Sequence, residues 1–171
     1  MEEKDNIPKS IKEFNKLNHM QLNVGILNSE TQFLQMIAIV NNDGTVIHAK
    51  NYKYLRIPVR QSDGKIGFVQ KESVRIPARR YLEKTIVDGE SAWQDFILNQ
   101  VFEITEGHDV TADSIMNSLG KKVVARMQNI MKSWSKPGNA PITIANKGKD
   151  DPLIDTGKLM ESIKYEIKEK I

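Results

Sequence analysis

Three single histidines and one group of aspartates are the side chains most suited to bind a metal or move a proton. His19, His48 and His108 lie in different stretches, with no HxxxH or HxH spacing to place two imidazoles on one ion. Each reads as an ordinary surface or turn histidine. Asp150, Asp151 and Asp155 are close enough to hold a cation or share acid–base work. Aspartate also favours turns and helix starts, where its carboxylate bonds local amides, and that is the stronger reading of the three. The GxxxxGK[ST] and GxGxxG phosphate loops and the GxSxG elbow do not occur. Nothing in the spacing of Ser, His and Asp suggests a triad, although triads assemble in space and not along the chain. The expectation is therefore no catalytic residue, no metal site and no cofactor, in a protein that is not an enzyme.

Composition bounds the alternatives. The chain has 171 residues, 39% hydrophobic and 27% charged, enough for one core within a single domain over residues 1–171. No apolar run approaches the ~20 residues needed to cross a bilayer, so no membrane partner is expected. The opening Met1-Glu2-Glu3-Lys4-Asp5 lacks the basic start and apolar core of a signal peptide. With no cysteine there is neither a disulfide framework nor a thiolate metal site, and folding in a cytoplasm is expected.

The net charge of +3 is unevenly spread. Between Ser114 and Lys149 there is no Asp or Glu, while Lys121, Lys122, Arg126, Lys132, Lys136, Lys147 and Lys149 contribute seven positive charges, leaving −4 on the rest. Such a block seeks phosphate or an acidic partner, or is a solvated helix face running into a loop.

Residue periodicity supplies the elements. Pro8 with Ile11, Phe14 and Leu17 predicts a short helix ending near Asn18, and alternating Leu22, Val24 and Ile26 predict a strand. Ser29 and Gln32 read as a capping box opening a helix with Phe33, Met36, Ile37 and Val40 inward, stopped at Asn41-Asn42-Asp43-Gly44. Three β-prone runs follow, at Thr45–Ile47, Tyr54–Arg60 and Gly67–Val69, with Ser62-Asp63-Gly64-Lys65 as a hairpin turn. Pro58 restricts its run to an edge strand or a projecting arm. A helix from Ala78 should bury Tyr81, Leu82, Ile86, Trp93, Phe96 and Ile97, and residues 105–109 break it. Ile115, Leu119, Val123, Met127, Ile130 and Trp134 then predict a long central helix of roughly 35 Å. Residues 137–153 read as an extended loop, Asp155 as the cap of a short helix over 156–163, and Tyr165 with Ile167 as a closing strand. The expected fold class is α+β: a small antiparallel or mixed sheet on a long central helix and shorter helices, with a projecting β arm over 45–76.

Pro137-Gly138-Asn139-Ala140-Pro141-Ile142-Thr143, then Lys147-Gly148, then Pro152-Leu153-Ile154-Asp155-Thr156-Gly157-Lys158-Leu159, then Ser162-Ile163, form a more specific pattern. It resembles the carboxy-terminal signature of phage virion-morphogenesis and tail-completion proteins, P-x-N-A-x-x-T, K-G, P-L-[IV]-D-T-G-x-L and S-I, across residues 137–165. Ile76-Pro77-Ala78-Arg79 with Tyr81-Leu82 is similar to the I-P-A-R-P-F-L segment of related neck proteins, with Arg80 where proline is usual. Asn41-Asn42-Asp43-Gly44 replaces a familiar H-E-F-G turn, and Lys136-Pro137-Gly138 departs from the P-P-N form.

The resemblance implies a small α+β virion subunit that assembles in the bacterial cytoplasm into a ring, with six copies expected. It would sit at the tail end or head–tail junction as a tail-completion or tail-terminator component, and its partners would be itself, tail tube, sheath or neck proteins and, transiently, passing DNA. A head–tail connector or minor capsid protein is the nearest alternative, and a basic nucleic-acid-binding module is the alternative of another class. Asn139, Pro141, Lys147, Gly148, Pro152, Leu153, Asp155, Thr156, Gly157, Leu159, Ser162 and Ile163 are expected to specify the fold. Arg56, Arg60, Phe68, Arg75 and Arg79 are expected at the subunit interface, since rings of identical subunits need heterologous contacts.

Overall fold

A computed structural model describes residues 6–28, 30–61 and 63–170. The Met1–Asp5 stretch, Ser29 of the expected capping box and Ser62 of the expected turn lie outside the described residues. The order of elements is α1 (Ile7–Asn18), β1 (Met20–Gly25), α2 (Gln32–Asp43), β2 (Thr45–His48), β3 (Leu55–Arg60), β4 (Ile66–Lys71), β5 (Ser73–Ile76), α3 (Tyr81–Thr105), α4 (Ala112–Lys132), α5 (Pro141–Lys147), α6 (Lys158–Glu161) and β6 (Lys164–Glu169). The class is α+β. Instead of one sheet, the strands among the described residues form three antiparallel pairs, β1–β6, β2–β5 and β3–β4, and none of these is mixed.

The helices α3 and α4 form an antiparallel hairpin: Arg126 Nη2 donates to the Asp88 carbonyl at 2.9 Å, so the middle of α4 faces the start of α3. At 25 residues α3 is longer than α4, which has 21 and ends at Lys132, short of Trp134. The central position still belongs to α4, because it buries Ala112, Ile115, Met116, Leu119, Gly120, Met127, Ile130 and Met131. Thr111 starts it with a capping box to Ser114, satisfying two amides that the first turn leaves unpaired. Its carboxy-terminal half joins Tyr81, Leu153 and Ile163 in one core, with Val24, Ile26, Leu82, Trp134 and Leu159 packed on it. Each such side chain contributes ~1.5–3 kcal/mol on full burial. The β1–β6 pair, in register Leu22↔Ile167 and Val24↔Tyr165, covers this helix and joins the two ends of the described chain.

The capping of α2 differs from expectation. Thr31 is the cap, its hydroxyl accepting the Leu34 amide at 3.3 Å. The inward side of α2 carries Ala38 and Asn42, while Phe33 (65% exposed) and Met36 (51%) face outward. Ile86 on α3 is likewise exposed, and the buried positions there are Tyr81, Thr85, Gly89 and Ile104. Gly44 closes α2 at φ 72°, where a Cβ would lie 2.6 Å from the Ala78 amide nitrogen, so the chain can cross there only without a side chain.

The 45–76 segment is one long hairpin broken into two ribbons, β2–β5 at its base and β3–β4 at its tip. Ser73–Ile76, not recognised from the sequence, is the strand that closes the base. Residues 137–153 are not an extended loop: they contain α5, opened by Pro141 in its first turn and closed by Gly148 in the left-handed conformation. The arm does not project freely, because β3 packs on α5.

Candidate functional site

Two internal joints hold the motif residues, and one outward surface carries most of the expected interface. The first joint is built on Arg79, which is 5% exposed and so is not a surface residue. Its guanidinium donates to Asn41 Oδ1 (2.8 Å), the Pro137 carbonyl (3.4 Å), the Gly138 carbonyl (3.4 Å) and Asn139 Oδ1 (3.4 Å). The Asn139 backbone N–H in turn donates to Asp150 Oδ1 at 2.8 Å. Burial pulls the Arg79 pKa down and Asp150 opposes that pull. The 76–79 and 137–150 segments, separate in sequence, therefore meet around one desolvated cation. Arg79 ties them together inside the subunit, so the expectation of an interface arginine at this position is corrected by its burial.

The second joint is built on Lys147. Its ammonium donates to the Asp151 carbonyl at 2.6 Å and to the Ile154 carbonyl, closing the turn after α5. Desolvation lowers its pKa, with Asp155 and Asp151 acting in the opposite direction. Pro152 and Leu153 are buried behind it. Asp155 does not cap the next helix: Gly157 occupies the cap at φ 87°, a conformation that disfavours any residue with a Cβ. Thr156 Oγ1 accepts the Lys158 amide at 3.5 Å. The helix is one turn, Lys158–Glu161, ending at Ser162 as C-cap, with Leu159 and Ile163 turned to the core.

The outward surface is the arm. In β3–β4 the register places Arg56 opposite Gln70, Pro58 opposite Phe68 and Arg60 opposite Ile66, so these six share one face. Ile66 is 68% and Phe68 56% exposed, and the Arg56 guanidinium lies 4.5 Å from the centre of the Phe68 ring. Arg75 stands exposed on β5 opposite Val46. Gln61 N–H bonds the Lys65 carbonyl, which sets Val59 and Ile57 as the residues bonded to β4. Pro58 then points its missing N–H to the outer edge, where no ladder bond is lost.

That outer edge is held by Asn146, which the sequence reading passed over. Its Nδ2 donates to the Pro58 carbonyl at 2.9 Å and its Oδ1 accepts the Arg60 amide at 2.8 Å, as a neighbouring strand would. Asn42 is a second omission: buried in the turn read as a helix stop, its Oδ1 accepts the Leu82 amide at 3.0 Å and caps the start of α3 from another element. Turn asparagines are visible in sequence, but a remote partner is not.

Between α2, β5, α5 and residues 152–159 runs a groove of about 1130 Å³ with Phe33, Ile37, Ile57, Ile142 and Leu159 on its walls. The chemical candidates remain apart. His19 Nδ1 lies 2.7 Å from the Asn15 carbonyl, and His108 pairs with Glu103. Among the described residues no three His, Asp or Glu side chains converge as metal ligands would. Among the same residues no helix is long and apolar enough to cross a membrane.

The basic block is partly consumed inside the molecule. Arg126 bonds the Asp88 carbonyl, Lys149 pairs with Asp151 at 2.8 Å, Lys122 sits 4.8 Å from the centre of the Phe96 ring, and Lys147 closes its own loop. No family model, curated protein or solved structure matches this chain.

Proposed function

We propose that this chain is a structural subunit of a phage or phage-tail-like particle, closing into a ring at the tail end or the head–tail junction as a tail-completion or tail-terminator component. One observation carries the reading. Among the described residues, fifteen large hydrophobic side chains are exposed, against twelve buried hydrophobic residues in the core. A folded domain that leaves so much apolar surface uncovered gains stability by covering it with another chain. The exposed residues fall on different elements: Phe33, Met36 and Ile39 on α2, Val87, Leu98 and Phe102 on α3, and Ile66 and Phe68 on the arm. Two unlike surfaces on each copy suit head-to-tail contacts, which close into rings when the rotation between neighbours is right.

The likeness of residues 137–165 to tail-completion proteins supplies the kind of particle, and a connector or minor capsid position would use the same surfaces. The internal pairing of Arg126, Lys147 and Lys149 reduces the basic block that a nucleic-acid-binding module would use, and Lys121, Lys132 and Lys136 remain for contact with passing DNA. Gold-labelled antibody against this chain, applied to particles from a producing culture, tests the placement. Label at one end of the tail is expected. Label spread over a capsid shell, or particles free of label, would overturn it.

A further inference from the structure

We infer that the basic arm of one copy docks along the acidic outer face of α3 of a second copy. The inference rests on the ring reading and names the contact that builds the ring. Residues 49–76 carry seven basic side chains against Asp63 and Glu72, a net of +5. The α3 helix carries Glu83, Asp88, Glu90, Asp95 and Glu103 against Lys84; Glu83 is paired with Arg80, Asp88 with Lys84 and Arg126, and Glu103 with His108, so its open carboxylates are Glu90 and Asp95. Opposite charge on two elements of one chain favours head-to-tail pairing and disfavours arm against arm or helix against helix.

The charges flank apolar anchors on both sides. On α3, Val87, Leu98 and Phe102 recur at eleven and four residues, which places them on one stripe of the helix. They are 76%, 66% and 60% exposed. At 100° per residue Glu90 lies to one side of this stripe and Asp95 to the other. On the arm, Phe68 lies opposite Pro58, between Arg56 and Arg60, and Ile66 lies opposite Arg60. Among the described residues, Glu90 and Asp95 make no ion pair, and neither do Arg56 and Arg60. The lengths also agree, since six arm residues span ~20 Å and the stripe from Val87 to Phe102 ~22 Å.

The chain contains no cysteine, so introduced thiols report without background. Gln70 shares the arm face with Phe68, and Gln94 lies on the stripe between Val87 and Leu98, so replacing either keeps the anchors. Gln70→Cys and Gln94→Cys proteins, mixed in equal amounts and treated with a short bis-maleimide, should give a cross-linked dimer. Each alone should give at most a tenth as much, and a chain carrying both should give a ladder. Arg56→Glu with Arg60→Glu in the arm partner should cut the yield at least tenfold, and Glu90→Arg with Asp95→Arg in the helix partner should restore it.

Equal cross-linking by a single variant, failure of the swapped charges to restore the yield, or no cross-link in the mixture would overturn the docking. Loss of DNA retention in the arm variant without any cross-link would instead assign the arm to nucleic acid. The native mass of the unaltered chain separates the two levels. An oligomer lacking this cross-link removes the docking alone, and a single-copy mass with no cross-link removes the ring reading as well.

Discussion

Asn146 holds Pro58 by a hydrogen bond of 2.9 Å, from a side chain on α5 to the one residue of β3 whose backbone nitrogen has no proton. The proline keeps its strand at an edge, and the asparagine supplies the partner that the edge lacks, donating at Pro58 and accepting at Arg60. An arm that would otherwise be tethered at its base alone is thereby fixed in direction, which favours a contact with a defined neighbour.

Asn146→Ala should release the arm while leaving the core intact. Two hydrogen bonds are lost at ~0.5–1.5 kcal/mol each. Hydrogen exchange should accelerate at the Arg60 amide and stay unchanged across Met127–Met131 in the core. Equal protection at Arg60 in both proteins would show that the bond holds nothing.

Arg79→Lys should destabilise the fold by about 2–4 kcal/mol, since a lysine cannot reach Asn41, Gly138 and Asn139 together and would bury a charge with fewer partners. Arg56→Glu with Arg60→Glu, on the exposed arm, should damage assembly and, at dilutions where the unaltered chain is also a single copy, leave the denaturant midpoint nearly unmoved. The account is wrong about both sites if the order of the two midpoints is reversed.

Ile163→Asp places a carboxylate in a site 4% exposed beside Tyr81, Met131 and Leu153. The expected cost exceeds about 4 kcal/mol, enough to prevent folding. Leu159→Asp should be milder, because Leu159 packs on the core from its margin. Circular dichroism of the two variants reads this directly, and a folded Ile163→Asp protein would contradict the packing.

Tyr81 sets an alkaline limit. Burial raises its pKa to about 12, and the phenol donates to the Ala38 carbonyl at 3.3 Å. The unfolded chain loses this proton near pH 10, and the folded chain keeps it to about pH 12. The stability it contributes is fully present below pH 10 and falls as pH rises through that window, by about 2–3 kcal/mol. Tyr81→Phe should be less stable at neutral pH and lose less between pH 10 and 12. Parallel slopes for the two proteins would exclude the phenol as the cause.

Long periodic elements were legible in the sequence, and short or relational ones were not. The α1 and α4 helices and the β1 and β6 strands repeat their apolar residues often enough to be read. The seven residues of α5 make too few turns for a period, although Pro141 and Gly148 mark its two ends. Phe33, Met36 and Ile86 have helical spacing, but spacing alone does not separate a face that meets the core from one that meets another chain. The burial of Arg79 depends on Asn41 and Asn139, 38 and 60 residues away, which no local pattern contains.

The most direct test is the native mass of the purified chain, measured by sedimentation equilibrium from dilute to concentrated solution. A self-assembling ring subunit should populate one closed species of fixed copy number, six being expected, which Arg56→Glu with Arg60→Glu breaks down to single copies. A mass of one copy at every concentration, or an oligomer indifferent to those two substitutions, would contradict the account.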